Sequence, residues 1–154
     1  MLYGIKQTDS ELLPEIQHYG CLFLCFAESS PMIFTGITGK KALNNIWQTA
    51  IQKGYISGDL NKDGDLDDDG EAIVLDHTAL ARECFALNVH YDGKHHKDNE
   101  EIPKDVAFVF GRFVWKYGHF VIINRRKEVT FDSLGYSLSV KNGKLKDMRY
   151  YYAD

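Results

Sequence analysis

The chain has 154 residues, 44% of them hydrophobic and 26% charged, with a formal net charge of −4. That length fits one domain, residues 1–154, with a core of its own, and the ordinary composition excludes a fibrous or disordered protein. The negative balance gives no general attraction to nucleic acid or to an anionic membrane, and no apolar run reaches the ~18 residues of a membrane span.

Residues 1–13 read as a polar lead-in with room for one short helix, and Pro14 suits the first turn of the next. From Cys21 to Ala27 the chain is apolar on every side, which fits a buried helix, with a buried strand as the competing reading. Leu43, Ile46, Trp47, Ala50 and Ile51 have the spacing of an amphipathic helix over 41–53, and Gly54 stops it. Seven carboxylates then fall between Asp59 and Glu71. Asp76 can cap a helix running to about Leu87. Val89-His90-Tyr91 follows, then a polar loop from Asp92 to Glu101. The last third reads as strands: Val106–Trp115, His119–Asn124 and Glu128–Asp132, with Asn142-Gly143 turning a hairpin between Ser137–Lys141 and Met148–Tyr152. Helices first and antiparallel strands later predict an α+β domain.

Three cysteines cannot all pair within one chain, and Cys21 and Cys25 sit in apolar surroundings, so free thiols are expected. The N-terminus lacks the basic-then-apolar order of a secretory signal, which reads as a cytoplasmic protein.

Cys21 opens the apolar run directly after Gly20. At a helix start it feels the positive end of the helix dipole, which favours a thiolate. Gly20 lets a substrate carbonyl approach, the Cys21 N–H is a candidate oxyanion donor, and Gln17 one turn upstream can supply a second donor from its amide. Cys25 is a turn deeper and the weaker nucleophile. An even-numbered loop centred on Arg125-Arg126 places His119 opposite Asp132, with Phe120, Ile122, Val129 and Phe131 facing inward; an odd-numbered loop breaks that pairing. A carboxylate beside an imidazole fixes its tautomer and stabilises the imidazolium. Taken singly, such a cysteine is more often a small core residue, His119 a core histidine and Asp132 a turn residue.

The order Gln17…Gly20-Cys21, Gly118-His119-Phe120-Val121, then Phe131-Asp132-Ser133 and a glycine resembles the papain-like cysteine peptidases. It is most similar to the bacterial branch that includes the leader-cleaving peptidases of bacteriocin export systems. Asp132–Ser137 with Val140–Gly143 also resembles an uncharacterised bacterial family of the same pattern. The resemblance spans residues 14–30 and 106–152. It implies a central helix carrying Cys21 against an antiparallel sheet carrying His119 and Asp132, with Cys21 as nucleophile, His119 as general base and Asp132 as orienting acid. Gln17 departs from the pattern, standing four residues before the cysteine rather than five or six. Tyr19 stands where many relatives have a small polar residue.

The acidic stretch resembles the first eight positions of an EF-hand-type calcium loop: Asp59, Asn61, Asp63, Gly64, Asp65 and Leu66. Position 12 is Gly70, so Glu71 is the nearest closing carboxylate. A second register starts at Asp65 and uses Asp67, Asp69, Gly70 and Asp76. The expected ligands of one structural calcium ion are Asp59, Asn61, Asp63, Asp65 and Glu71; a solvated acidic loop is the alternative. Zinc is not expected, because His95-His96 lacks cysteine partners at ligand spacing.

The sequence thus predicts a cysteine hydrolase, a peptidase or amidase, acting through a thioester. Peptidoglycan stems, a leader peptide and a ubiquitin-like tail remain open as substrates. The alternative is a non-catalytic, calcium-stabilised binding domain of the same fold. A nucleic-acid binder using Arg112, Lys116, Arg125, Arg126 and Lys127 has the wrong net charge.

Overall fold

Pro14 occupies the first turn of helix α1 (Pro14–Tyr19), where a missing N–H breaks no intrahelical bond. The Gly20 N–H closes that helix on the Ile16 carbonyl at 2.8 Å, and the Gly20 carbonyl accepts from Leu24 N–H at 2.9 Å to begin α2 (Cys21–Ser29). A Cβ at Gly20 would lie 2.5 Å from the Ile16 oxygen and 2.9 Å from its Cα. The two helices therefore meet through a glycine because Ile16 leaves no room, a packing reason the sequence had assigned to substrate approach.

The computed structural model describes residues 1–63 and 71–154, and they form a mixed helix-and-sheet fold. The apolar run is a helix: Phe23, Leu24, Cys25, Phe26 and Ala27 of α2 are all buried. The N-terminal segment is more than a polar lead-in. Its β1 (Leu2–Tyr3) pairs in parallel with β2 (Phe34–Thr35), and Ile5, Gln7 and Leu12 are buried. The amphipathic helix α3 (Gly36–Gln52) starts earlier than its apolar spacing indicated and buries Leu43, Trp47 and Ala50. Trp47 meets Phe23 of α2 edge to face at 5.2 Å.

Asp76 caps as expected, accepting the Ala79 N–H at 2.9 Å. The helix it starts is short, however. After α4 (His77–Ala79) the backbone widens into a π-helical turn, Leu80–Cys84, which puts Leu80, Ala81 and then Phe85 in the core. Ala86 takes a positive φ of 54°, and Leu87 N–H turns back to the Ala81 carbonyl at 2.9 Å.

The second half supplies an antiparallel sheet from β3 (Val89–Tyr91), β4 (His96–Lys97), β5 (Val106–Val114), β6 (Gly118–Ile123), β7 (Val129–Phe131) and β8 (Lys144–Ala153). Its order is β3-β8-β5-β6-β7, with β4 also on β8. The expected hairpin at Asn142-Gly143 does not form. Ser137 accepts the Val140 N–H and caps a short helix, α5 (Leu138–Asn142), which Gly143 ends. Here local capping outweighs the Asn-Gly turn signal.

The β6–β7 connection is odd-numbered, not even. Asn124 N–H donates to the Glu128 carbonyl, and the Asn124 side-chain oxygen takes the N–H groups of Arg126 and Glu128 at 2.9 and 3.0 Å. Ile123 then faces Val129 while Ile122 faces Phe131, across an irregularity. The β6–β7 ladder ends at Ile122 and Phe131, so His119, paired with Phe113 of β5 on its other side, has no ladder partner in Asp132. Phe120, Ile122 and Phe131 pack on the main core with the helices. Val129 joins Val121 and Ile123 in a second cluster with Val109, Met148 and Tyr150, so the four residues expected on one face divide between two. No helix among the described residues is long and apolar enough to cross a membrane.

Candidate active site

β7 is only three residues long, so among the described residues the edge of β6 before Ile122 has no strand partner on that side. The start of α2 fills the opening. The Cys21 sulfur accepts the backbone N–H of Phe120 at 3.4 Å. Because α2 begins at Cys21, its amide is one of the four that a helix start leaves without an intrahelical acceptor.

Asp132 is the residue after β7 and reaches His119 despite the shifted register. Its Oδ1 lies 2.7 Å from His119 Nε2. The same carboxylate accepts Leu134 N–H at 3.0 Å and Ser137 N–H at 2.8 Å, and Gly135 at φ 87° lets the chain fold back to deliver them. Burial pushes the Asp132 carboxyl up, but these hydrogen bonds outweigh it and hold it down at about 2. Burial likewise pulls His119 down. Hydrogen bonds to Asp132 and to Cys21 and the charge on both outweigh that and lift the imidazole to about 9. With Nε2 given to Asp132, Nδ1 is the ring nitrogen left for the sulfur. Cys25 is fully buried and burial raises its thiol; burial also raises Cys84.

Two cavities of about 300 Å³ each meet at Cys21. One is walled by Leu22, Phe23, Trp47, Val74 and Phe120, with Arg112 and Glu71 as its charged members. The other holds His119, Gln7, Gln17, Trp115 and Ser139. Cys21, His18 and Gly118 belong to both. Comparison with family models, with curated proteins and with solved structures finds no match, so the chemistry of these residues has to be read from their own geometry.

Gln17 lines the second cavity, but its amide nitrogen donates to the Leu12 carbonyl at 2.8 Å. One of the two N–H donors of the expected oxyanion amide is thus committed to a carbonyl just ahead of its own helix. Gln7 was not singled out from the sequence. Its nitrogen donates to Gln17 O at 3.0 Å and its oxygen accepts the Ser133 hydroxyl at 2.6 Å, which ties the N-terminal segment to the turn holding Asp132. Nothing in the spacing of Gln7 or His18 signals their place beside Cys21.

Of the expected calcium ligands, Asp65 lies outside the described residues, as do Asp67, Asp69 and Gly70 of the second register. Asp59 Oδ1 and Asn61 Oδ1 both accept the Asp63 N–H at 3.2 Å, and Glu71 Oε2 accepts the Leu60 N–H at 2.5 Å. Among the described residues no group of three His, Cys, Asp or Glu gathers in a form that could hold a metal. Asp92 and Glu100 hold the two ring nitrogens of His96 at 2.6 and 2.9 Å, and its ring stacks on Tyr150 at 3.7 Å. The basic residues weighed for nucleic acid are partly used internally. Arg125 donates to the carbonyls of Pro103, Lys104 and Val106, and Lys127 to that of Asp98.

Proposed function

We propose that this chain is a cysteine hydrolase of the papain-like type, cleaving a peptide or amide bond through a thioester on Cys21. The observation that supports it most is the linked set Cys21–His119–Asp132, with the imidazole fixed at 2.7 Å from a nearly inaccessible carboxylate and the sulfur where two cavities meet.

In this reading His119 carries a proton taken from the Cys21 thiol, and Asp132 holds the imidazolium in orientation. The sulfur attacks the substrate carbonyl carbon, and the oxygen gathers negative charge against the Cys21 N–H. Collapse breaks the carbon–nitrogen bond, and His119 gives its proton to the departing amine. A water molecule then attacks the thioester while His119 takes its proton. The carboxylic acid leaves, and the released sulfur is restored with that proton shared across the pair. Because His119 must reach the leaving nitrogen, the amine departs through the cavity that contains His119. The acyl part then occupies the cavity that contains Arg112.

The engagement of the Gln17 amide with Leu12 favours a second reading, a binding domain of the same fold without hydrolysis. In either reading the acidic loop is proposed to hold a structural calcium ion through Asp59, Asn61, Asp63, Asp65 and Glu71. Incubating a mixed library of unmodified peptides with the protein and with Cys21→Ala, then identifying new termini by mass spectrometry, separates the two. Cleavage confined to the unsubstituted chain supports hydrolysis, and identical digests support the binding domain.

A further inference from the structure

Among the described residues, the cavity assigned above to the acyl half contains a single guanidinium, that of Arg112. Arg112 Nη2 and Nε are both held by Asp147, at 2.6 Å and 3.2 Å. One edge of the planar group is therefore fixed, and with it the direction of the other. Asp147 is shared, since Arg149 Nη1 also binds its Oδ1 at 2.5 Å. Two guanidinium charges against one carboxylate leave one positive charge over.

Gly118 keeps the remaining edge uncovered. A Cβ built there would lie 3.5 Å from Arg112 Nη1 and 3.8 Å from its Cδ, so a side chain at 118 would pack against that edge of the guanidinium. Both residues line the cavity that reaches Cys21. The other walls are apolar: Leu22, Phe23, Trp47, Val74 and Phe120. Glu71, its other charged member, is buried and takes the Leu60 N–H at the base of its own loop. Among the described residues, His18 is the remaining titratable wall residue besides Cys21 and Tyr19.

We infer that Arg112 is a specificity residue that selects substrates with a carboxylate on the acyl side of the cleaved bond. This rests on the cysteine-hydrolase reading. A pre-oriented planar fork in an apolar setting is suited to a carboxylate, which it meets with paired N–H donors. At roughly 3.5 Å per extended residue, a cavity this small places that carboxylate on the first or second residue before the scissile bond. A glutamate or aspartate side chain meets this description, as does the free carboxylate of a residue joined through its side chain.

The test uses thiol-alkylating peptidyl acyloxymethyl ketones that carry Glu or Gln at the first or the second residue from the electrophile. The readout is the ratio of second-order inactivation rates, Glu over Gln, alongside simple alkylation of Cys21 by iodoacetamide. The protein is expected to prefer a Glu probe at least tenfold, Arg112→Gln to bring the ratio near one, and Arg112→Lys to keep part of it. The lysine variant decides the matter if the glutamine variant does not fold. A ratio near one in the unsubstituted protein, or a preference that survives Arg112→Gln, overturns the inference. So does fast iodoacetamide alkylation with no reaction of either probe, which leaves the hydrolase reading standing. Iodoacetamide alkylation of Cys21 no faster than that of Cys84 defeats the hydrolase reading and this inference together.

Discussion

Phe120 donates its backbone N–H to the sulfur of Cys21 at 3.4 Å, across 99 residues of chain. The sulfur is thereby fastened to the strand that carries the imidazole, one residue from it. Only a strand edge left open by the short β7 can offer that N–H. The position of the sulfur follows from where β7 stops, and β7 stops because Asp132 turns to collect the N–H groups of Leu134 and Ser137.

The ionisation of His119 can be read directly by nitrogen NMR of the imidazole rings. Its proton is held to about pH 9, against an ordinary value of 6.5, so it should be lost well after that of an unperturbed histidine. Since the folded value is raised, its contribution to stability is complete below pH 6.5 and disappears as pH rises through 9. Asp132→Asn removes the charge and should move the titration down. His77 behaves in the opposite sense: burial first, then Arg149, lower it to about 4. Its contribution is complete above pH 6.5 and is lost as pH falls through 4. A His119 ring that titrates near 6.5 would contradict the assembled pair.

Asp132→Ala leaves the His119 imidazole and two N–H groups without their acceptor, in a place where the carboxylate is almost wholly covered. Breaking such a pair costs about 3 kcal/mol, to be read from urea unfolding at neutral pH. The Asp132 value is depressed from 3.8 to about 2. Its stabilisation is therefore present above pH 3.8 and lost as pH falls through 2, and the gap between the two proteins should close over that range. A gap under ~0.5 kcal/mol at pH 7 would show the contact to be incidental.

Gly20→Ala should be costly for a reason unrelated to substrate. The added methyl would stand 2.5 Å from the Ile16 oxygen, so α1 and α2 must shift apart. Overpacking of this kind costs ~1–3 kcal/mol, and it should also slow the reaction of Cys21 with alkylating reagents. Unfolding curves that superimpose on those of the unsubstituted chain would rule out this account of the junction.

The acidic loop is tested by calcium itself. After chelation, calorimetric titration with calcium should show binding, and the melting temperature should rise. Asp59→Ala should weaken both. No heat and no change in melting temperature would leave an ordinary acidic loop.

Much of this arrangement was legible in the residues. The apolar run from Cys21 marked the buried helix, Pro14 and Asp76 marked two helix starts, and the β-branched and aromatic stretches marked β5 and β6. The pairing of His119 with Asp132 was expected too, but for a reason that proved incorrect. The even-numbered loop that would have set it is absent, because the Asn124 side chain satisfies two loop amides and imposes an odd one. The contact forms instead through the turn beyond β7. Ser137 as a helix cap, the π-helical widening at Leu80–Cys84 and the Gln7–Ser133 tie all depend on tertiary partners or on a choice between two local signals. Spacing along the chain carries no trace of them.

The measurement that bears most directly on the central claim is the rate of Cys21 alkylation by iodoacetamide at pH 7, in the protein and in His119→Ala. An assembled thiol–imidazole pair should make Cys21 react at least tenfold faster than Cys25 or Cys84, and His119→Ala should abolish the difference while the fold persists. Equal, slow labelling of all three cysteines, unchanged by the substitution, would contradict it.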